Sequence, residues 1–168
     1  HNTPGFLPRL TGLLYHKPPQ AANRRGSNRL TYRLEVIIKK METMQAVVCH
    51  GIQDYRLEEL PVPQPGPGEV VIQVEAAGIC ASDVKCFYGA ARMWGTENTP
   101  RYIQTPVVVG HEFAGRVVAL GEHASEKTGL NIGDRAVSEQ IVPCWECRYC
   151  RRGEYWMCQR HDIYGFIG

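Results

Sequence analysis

The sequence predicts a mainly β fold, β-rich α+β, built as a partly open barrel with a metal-binding lobe near its C-terminal end. Three observations carry that expectation. Short apolar or alternating runs recur from Met44 onward, and Gly- and Pro-rich turns separate them. No stretch reads as a βαβ series, which argues against a parallel sheet covered by helices. Four cysteines then stand together as Cys144-x-x-Cys147-x-x-Cys150 with Cys158 beyond them.

Taken in order, Met44 to His50 is a compact apolar run and Arg56 to Leu60 a second candidate strand. Pro61-Val62-Pro63-Gln64-Pro65-Gly66-Pro67-Gly68 is a stiff connector, because proline fixes φ and glycine supplies the turns. Glu69 to Ala77 runs apolar through Val70, Val71, Ile72 and Val74 and is read as a strand. Ala81 to Tyr88 is read as a short helix opened by Ser82 or Asp83. Val107 to Val109, Phe113 to Leu120 and Ala136 to Val142 complete the strands, the last fed by the turn Asn131-Ile132-Gly133-Asp134-Arg135.

The 168 residues, 43% hydrophobic and 21% charged, suit one ordinary globular domain. The net charge of +2 hides an asymmetry: residues 1–43 carry eight Lys and Arg against Glu35 and Glu42, which leaves the remainder net acidic. An acidic body lacks the clustered basic face that nucleic-acid binding needs. Residues 1–43 are expected to be a disordered leader, either non-native upstream sequence or an Arg-rich organellar address, and 44–168 the folded domain. No apolar run in the leader is long enough to span a membrane, and the expected location is the cytoplasm.

Two-residue gaps let neighbouring thiolates converge on one ion, and four sulfurs satisfy a tetrahedral zinc with no position left for substrate. A disulfide pair is disfavoured by the odd total of seven cysteines. An iron–sulfur cluster lacks its closely spaced fourth cysteine followed by proline, since Gln159 follows Cys158. Two further candidate ligands are Cys80, in Gly78-Ile79-Cys80-Ala81-Ser82-Asp83, and His111, in Gly110-His111-Glu112. A thiolate and a neutral imidazole hold zinc well, and a set of two or three protein ligands leaves room for a substrate oxygen. Singly each is weak: such a cysteine is commonly a small core residue, and such a histidine a satisfied surface one. Asp83 is the kind of group that accepts the other N–H of a ligating histidine, and Ser82 offers a hydroxyl able to pass a proton. Glu112 is read equally as a neighbour of the ion, a ligand, or half of an ordinary salt bridge.

These segments, with Gly115, Gly121, Ala124 and Gly133-Asp134-Arg135, resemble in order and spacing the zinc-dependent medium-chain alcohol and polyol dehydrogenases, in their GroES-like catalytic domain. The likeness covers Met44 to Gly168, and the segments Glu112 to Trp145 and Phe87 to Thr99 are most similar to the polyol branch, the erythritol or threitol dehydrogenases. It implies a catalytic zinc held by Cys80 and His111, with Glu112 a close or exchanging partner. It further implies that Ser82 begins a proton relay, that Asp83 orients His111, and that Cys144, Cys147, Cys150 and Cys158 hold a structural zinc in a lobe at 139–160. Two zinc ions per full-length chain, NAD or NADP, a small alcohol or polyol substrate and a homo-oligomer, dimer or tetramer, follow from the same likeness, which also sets Tyr88 to Thr105, with Arg92, Trp94, Glu97, Asn98 and Arg101, at the border of the substrate cleft, either as polyol-binding side chains or as a solvated loop. The family's dinucleotide domain is absent: no Gly-x-Gly-x-x-Gly is present, so the chain is expected to be an N-terminal fragment inactive alone. The alternative from another class is a zinc-ribbon-like binding module using Arg148, Arg151, Arg152 and Arg160.

Overall fold

A computed structural model describes residues 43–167. The expected leader lies outside the described residues, except that Thr43 already belongs to the first strand. Strands β1 (Thr43–Gly51) and β2 (Asp54–Pro61) form an antiparallel hairpin with Cys49 opposite Tyr55, and β4 (Val107–Val108) adds to the other edge of β1. Strand β3 (Val70–Ala77) pairs with β5 (Phe113–Leu120), which pairs in turn with β6 (Arg135–Val137). A two-stranded ladder, β7 (Ile141–Val142) with β8 (Asp162–Ile163), brackets the cysteine lobe. All pairings are antiparallel and they form three separate sheets, so the mainly β, open arrangement is the one observed.

The two three-stranded sheets each have their own core. Val70, Val117, Ala124 and Ala136 are buried between β3, β5, β6 and the short helix Ala124–Thr128, with Ile72, Leu120, Leu130 and Ile132 against them. Cys49, Cys86, Ile103, Val107 and Phe166 form the second core, capped by Tyr55, Met93, Trp94 and Tyr102. Burying a side chain of valine or isoleucine size contributes about 1.5–3 kcal/mol, so each cluster helps to hold the sheet it lies against. Gly115 explains one sequence feature directly: a Cβ there would lie 1.9 Å from the Gln73 carbonyl oxygen, so β3 and β5 can meet at this point only across a glycine.

Two expectations are corrected. The run Ala136 to Val142 is not one strand, because Ser138, Glu139 and Gln140 leave the ladder between β6 and β7. Helix α1 (Ala81–Phe87) is capped by Cys80 rather than by Ser82 or Asp83; the Asp83 carboxylate reaches back and accepts the Cys80 backbone N–H at 2.8 Å. The stretch Tyr88 to Thr105, expected as a cleft border or a solvated loop, is built on local contacts. Ala91–Trp94 is a helical turn, the Trp94 indole donates to the Cys86 carbonyl at 2.6 Å, and Arg101 stacks on Trp94 at 4.5 Å.

Candidate metal centres

The strand-to-helix turn after β3 and the turn before β5 place the first centre. Gly78 N–H donates to the Glu112 carbonyl at 2.7 Å, locking the two turns side by side. One donor atom from each of Cys80, His111 and Glu112 then lies within 4.8 Å of the others. His111 is 1% exposed, Cys80 half-buried and Glu112 exposed. A thiol, an imidazole and a carboxylate converging from a buried floor to an open rim form a donor set that suits zinc and leaves one side accessible.

The two nitrogens of His111 face different groups. Nδ1 stands 3.3 Å from Asp83 Oδ1, an ion-pair distance without hydrogen-bond alignment, and is otherwise unpartnered. Nε2 stands 3.3 Å from the Ser82 hydroxyl. A carboxylate opposite Nδ1 favours the tautomer protonated there, which leaves the Nε2 lone pair free for a metal or for the Ser82 O–H. Asp83 therefore serves twice: Oδ2 closes the first turn of α1 and Oδ1 faces the imidazole.

Behind the imidazole sits a group that sequence reasoning missed. The Phe166 ring lies 5.1 Å from the His111 ring and is 4% exposed. The Gln104 N–H donates to the Phe166 carbonyl at 2.8 Å, so the C-terminal segment is tied to the second core. Gly165 in the run Ile163-Tyr164-Gly165-Phe166 was the available signal, since a glycine inside an apolar run marks a tight backbone approach. In front of the site is a cavity of about 660 Å³, walled by Ala76 to Gly78, His111 to Ala114 and Val137 to Gln140. A larger apolar cavity of about 1020 Å³ lies between the β1 and β3 sheets. Neither is lined by Arg92, Trp94, Glu97, Asn98 or Arg101.

The second centre gathers one sulfur each from Cys144, Cys147, Cys150 and Cys158 within 4.8 Å of one another, and all seven cysteines are free thiols. Backbone N–H groups point at the sulfurs: those of Cys144 and Arg160 donate to Cys158 Sγ at 3.3 and 3.4 Å. Hydrogen bonds from the Cys150 and Gln159 amides hold the Cys147 thiol down to about 6, while burial and the adjoining thiols push Cys150 up to about 12. Such a split is what four close sulfurs do when they share charge, and a divalent cation is what lets all four ionise. The lobe's arginines are engaged locally. Arg151 donates to the Glu146 carbonyl, Arg160 to the Glu146 carboxylate and Arg152 to Glu154, each at 2.7 Å. They do not form a free basic row of the kind a nucleic-acid module would present.

The sequence profile of the alcohol dehydrogenase GroES-like domain matches residues 66–168. The chain is 64% identical over 125 residues to the erythritol/L-threitol dehydrogenase of Mycolicibacterium smegmatis, covering 74% of this chain and 34% of that protein. A thermostable alcohol dehydrogenase from Pyrobaculum aerophilum with cobalt and zinc bound superposes with a TM-score of 0.59 at 32% identity, over 74% of this chain and 36% of that one. An alcohol dehydrogenase of E. coli CFT073 complexed with NADH gives 0.61 at 27% identity, over 75% and 33%. The chain spans about a third of the length of the relatives it matches. No helix among the described residues is long and apolar enough to cross a membrane. With the profile matching more than half of its residues, the chain belongs to the alcohol dehydrogenase GroES-like domain family.

Proposed function

We propose that this chain is the metal-bearing catalytic part of a zinc-dependent dehydrogenase that oxidises a secondary alcohol of a small polyol, with hydride transfer to NAD or NADP. The observation that carries the reading is the convergence of Cys80, His111 and Glu112, the last two lining the 660 Å³ cavity, with Ser82 and Asp83 on the two nitrogens of one imidazole. The likeness to the erythritol/L-threitol dehydrogenase supports a tetritol as substrate, and the NADH-bound relative supports a nicotinamide. The nicotinamide would be held by residues beyond those described, and the 168-residue chain alone is inactive on this reading.

Zinc would be held by Cys80 and His111, with Glu112 beside them, and bound there it supplies Lewis acidity toward an alcohol O–H. The protein's own groups do the rest. Asp83 keeps the proton on His111 Nδ1 and so presents Nε2 as a donor. The Ser82 hydroxyl, released from Nε2 once that lone pair is engaged, is placed to accept the substrate's hydroxyl proton and pass it outward. Phe166 covers the inner face of His111 and excludes water from it. Residues 139–160 would form a lobe closed around a second, structural zinc held by the four cysteines.

The test is oxidation of erythritol and L-threitol by the full-length protein, followed by the absorbance of the reduced nicotinamide. Turnover that exceeds that on a monohydric secondary alcohol, and that is lost in Cys80→Ala, is expected. Full activity in Cys80→Ala, or equal activity on both substrate classes, contradicts the proposal.

A further inference from the structure

The wall of the 660 Å³ cavity that faces Ala76 to Gly78 is the irregular stretch Ser138-Glu139-Gln140. It belongs to no strand, yet it stands across from His111 and Glu112. Its fastening comes from the cysteine lobe. The Tyr155 phenol donates to Glu139 Oε2 at 2.6 Å, both side chains being half-buried. A short bond from a phenol to a carboxylate is stronger than a neutral one, and the carboxylate correspondingly raises the phenol's pKa. Tyr155 is itself set by the lobe: it lies between Cys150 and Cys158, opens the helical turn Tyr155–Met157, and packs against Trp145 at 6.1 Å and Trp156 at 5.3 Å. Trp145 directly follows Cys144 and has a left-handed backbone, φ 59°, so its ring is placed by the fold around the cysteines. At one end of the wall Ser138 is buried, 7% exposed, with its hydroxyl donating to the Glu139 carbonyl at 3.0 Å, and at the other the Gln140 carbonyl accepts the Tyr164 N–H at 3.1 Å.

We infer that Tyr155 and Glu139 are positioning residues that tie the cavity wall beside His111 and Glu112 to the folding of the four-cysteine lobe. Order in the lobe is thereby transmitted to the first centre, although the two centres share no residue. The functional half of this statement rests on the reading of Cys80, His111 and Glu112 as a metal centre; the mechanical half does not.

The experiment measures backbone hydrogen exchange in the zinc-loaded protein for the wild type, Tyr155→Phe, Glu139→Ala and Glu139→Gln, with cobalt-substituted samples recorded in parallel for a Cys80-dependent absorption band. Tyr155→Phe and Glu139→Ala are expected to speed exchange of the amides of 138–142 about tenfold, the equivalent of one lost hydrogen bond. Amides of 147–153 and of Val117 keep their wild-type rates. Glu139→Gln, which retains an acceptor for the phenol, behaves as the wild type, and the Cys80-dependent band weakens or shifts in the first two variants only. Unchanged exchange at 138–142 in Tyr155→Phe, or an equal rise at 147–153 and Val117, overturns the inference. A wild type without a Cys80-dependent band contradicts the metal reading of the first centre instead, and the exchange rates still decide the tie.

Discussion

Replacing Gly165 by alanine tests how tightly the C-terminal segment holds the first centre. Gly165 has φ +80°, and a Cβ built on it would stand 2.8 Å from the Gly110 nitrogen, 2.9 Å from its oxygen and 3.0 Å from its carbonyl carbon. All three are backbone atoms of the residue before His111, so the contact cannot be relieved by turning a side chain. The left-handed conformation costs a non-glycine residue roughly 1–2 kcal/mol, and overpacking against fixed atoms adds about 1–3 kcal/mol. Gly165→Ala should therefore destabilise the domain by roughly 2–5 kcal/mol. Gly129 supplies the control: it has φ +72° and no atom within 4 Å of its would-be Cβ, so Gly129→Ala bears only the conformational cost of roughly 1–2 kcal/mol. Urea unfolding reads both. With a slope of about 2 kcal/mol/M, the Gly165 variant's midpoint should fall by about 1–2.5 M and the control's by about 0.5–1 M. Equal losses in the two variants would refute the steric argument that the approach of Gly165 to the Gly110 backbone requires a glycine.

Other perturbations reach different parts of the account. Asp83→Asn removes the charge opposite Nδ1 while keeping an acceptor for the Cys80 N–H, so metal affinity at the first centre should fall about 10–100-fold with little loss of stability; unchanged affinity in a metal competition titration would show that Asp83 only caps the helix. Cys144→Ala should unfold the lobe, seen as loss of the Tyr155–Trp145 near-ultraviolet dichroism, because a closed structural zinc contributes folding free energy directly; retained dichroism would contradict that role. Burial raises the Cys49 and Cys86 thiols above the ordinary value of 9.0, so their stabilising contribution is complete below pH 9.0 and is lost as pH rises through the folded values. The urea midpoint should accordingly decline above that pH, less steeply in a Cys49→Ala/Cys86→Ala background; identical slopes would assign the decline to other groups.

Much of this architecture was legible because short strands announce themselves by local pattern. Phe113 to Leu120 is bounded by its turn glycines and forms the strand expected at both ends. The run from Ala136 to Val142 has the same surface texture, yet its middle lies outside both strands, and there the Ser138 hydroxyl donates to the Glu139 carbonyl and the Glu139 carboxylate accepts from Tyr155. A bond between residues sixteen apart has no signature in either neighbourhood. Cysteine spacing foretold the gathering of Cys144, Cys147, Cys150 and Cys158, because two-residue gaps leave little geometric choice. Cys80 and His111, thirty-one residues apart, could be brought together on paper only by a family resemblance. The role of Phe166 was hidden because a buried aromatic ring looks the same in sequence whether it fills a core or backs an imidazole. Asp83 was read both as a helix opener and as a partner for the histidine, and one carboxylate does both: Oδ1 faces His111 while Oδ2 closes the first turn of α1.

The most direct test of the central claim is the zinc content of the full-length protein and its Cys80→Ala and Cys147→Ser variants. The account predicts two ions in the wild type and one in Cys80→Ala, with lobe dichroism intact. In Cys147→Ser it predicts loss of the ion that supports the lobe. Two ions retained in Cys80→Ala, or a single ion in the wild type that resists the Cys80 substitution, would contradict a metal centre built on Cys80, His111 and Glu112.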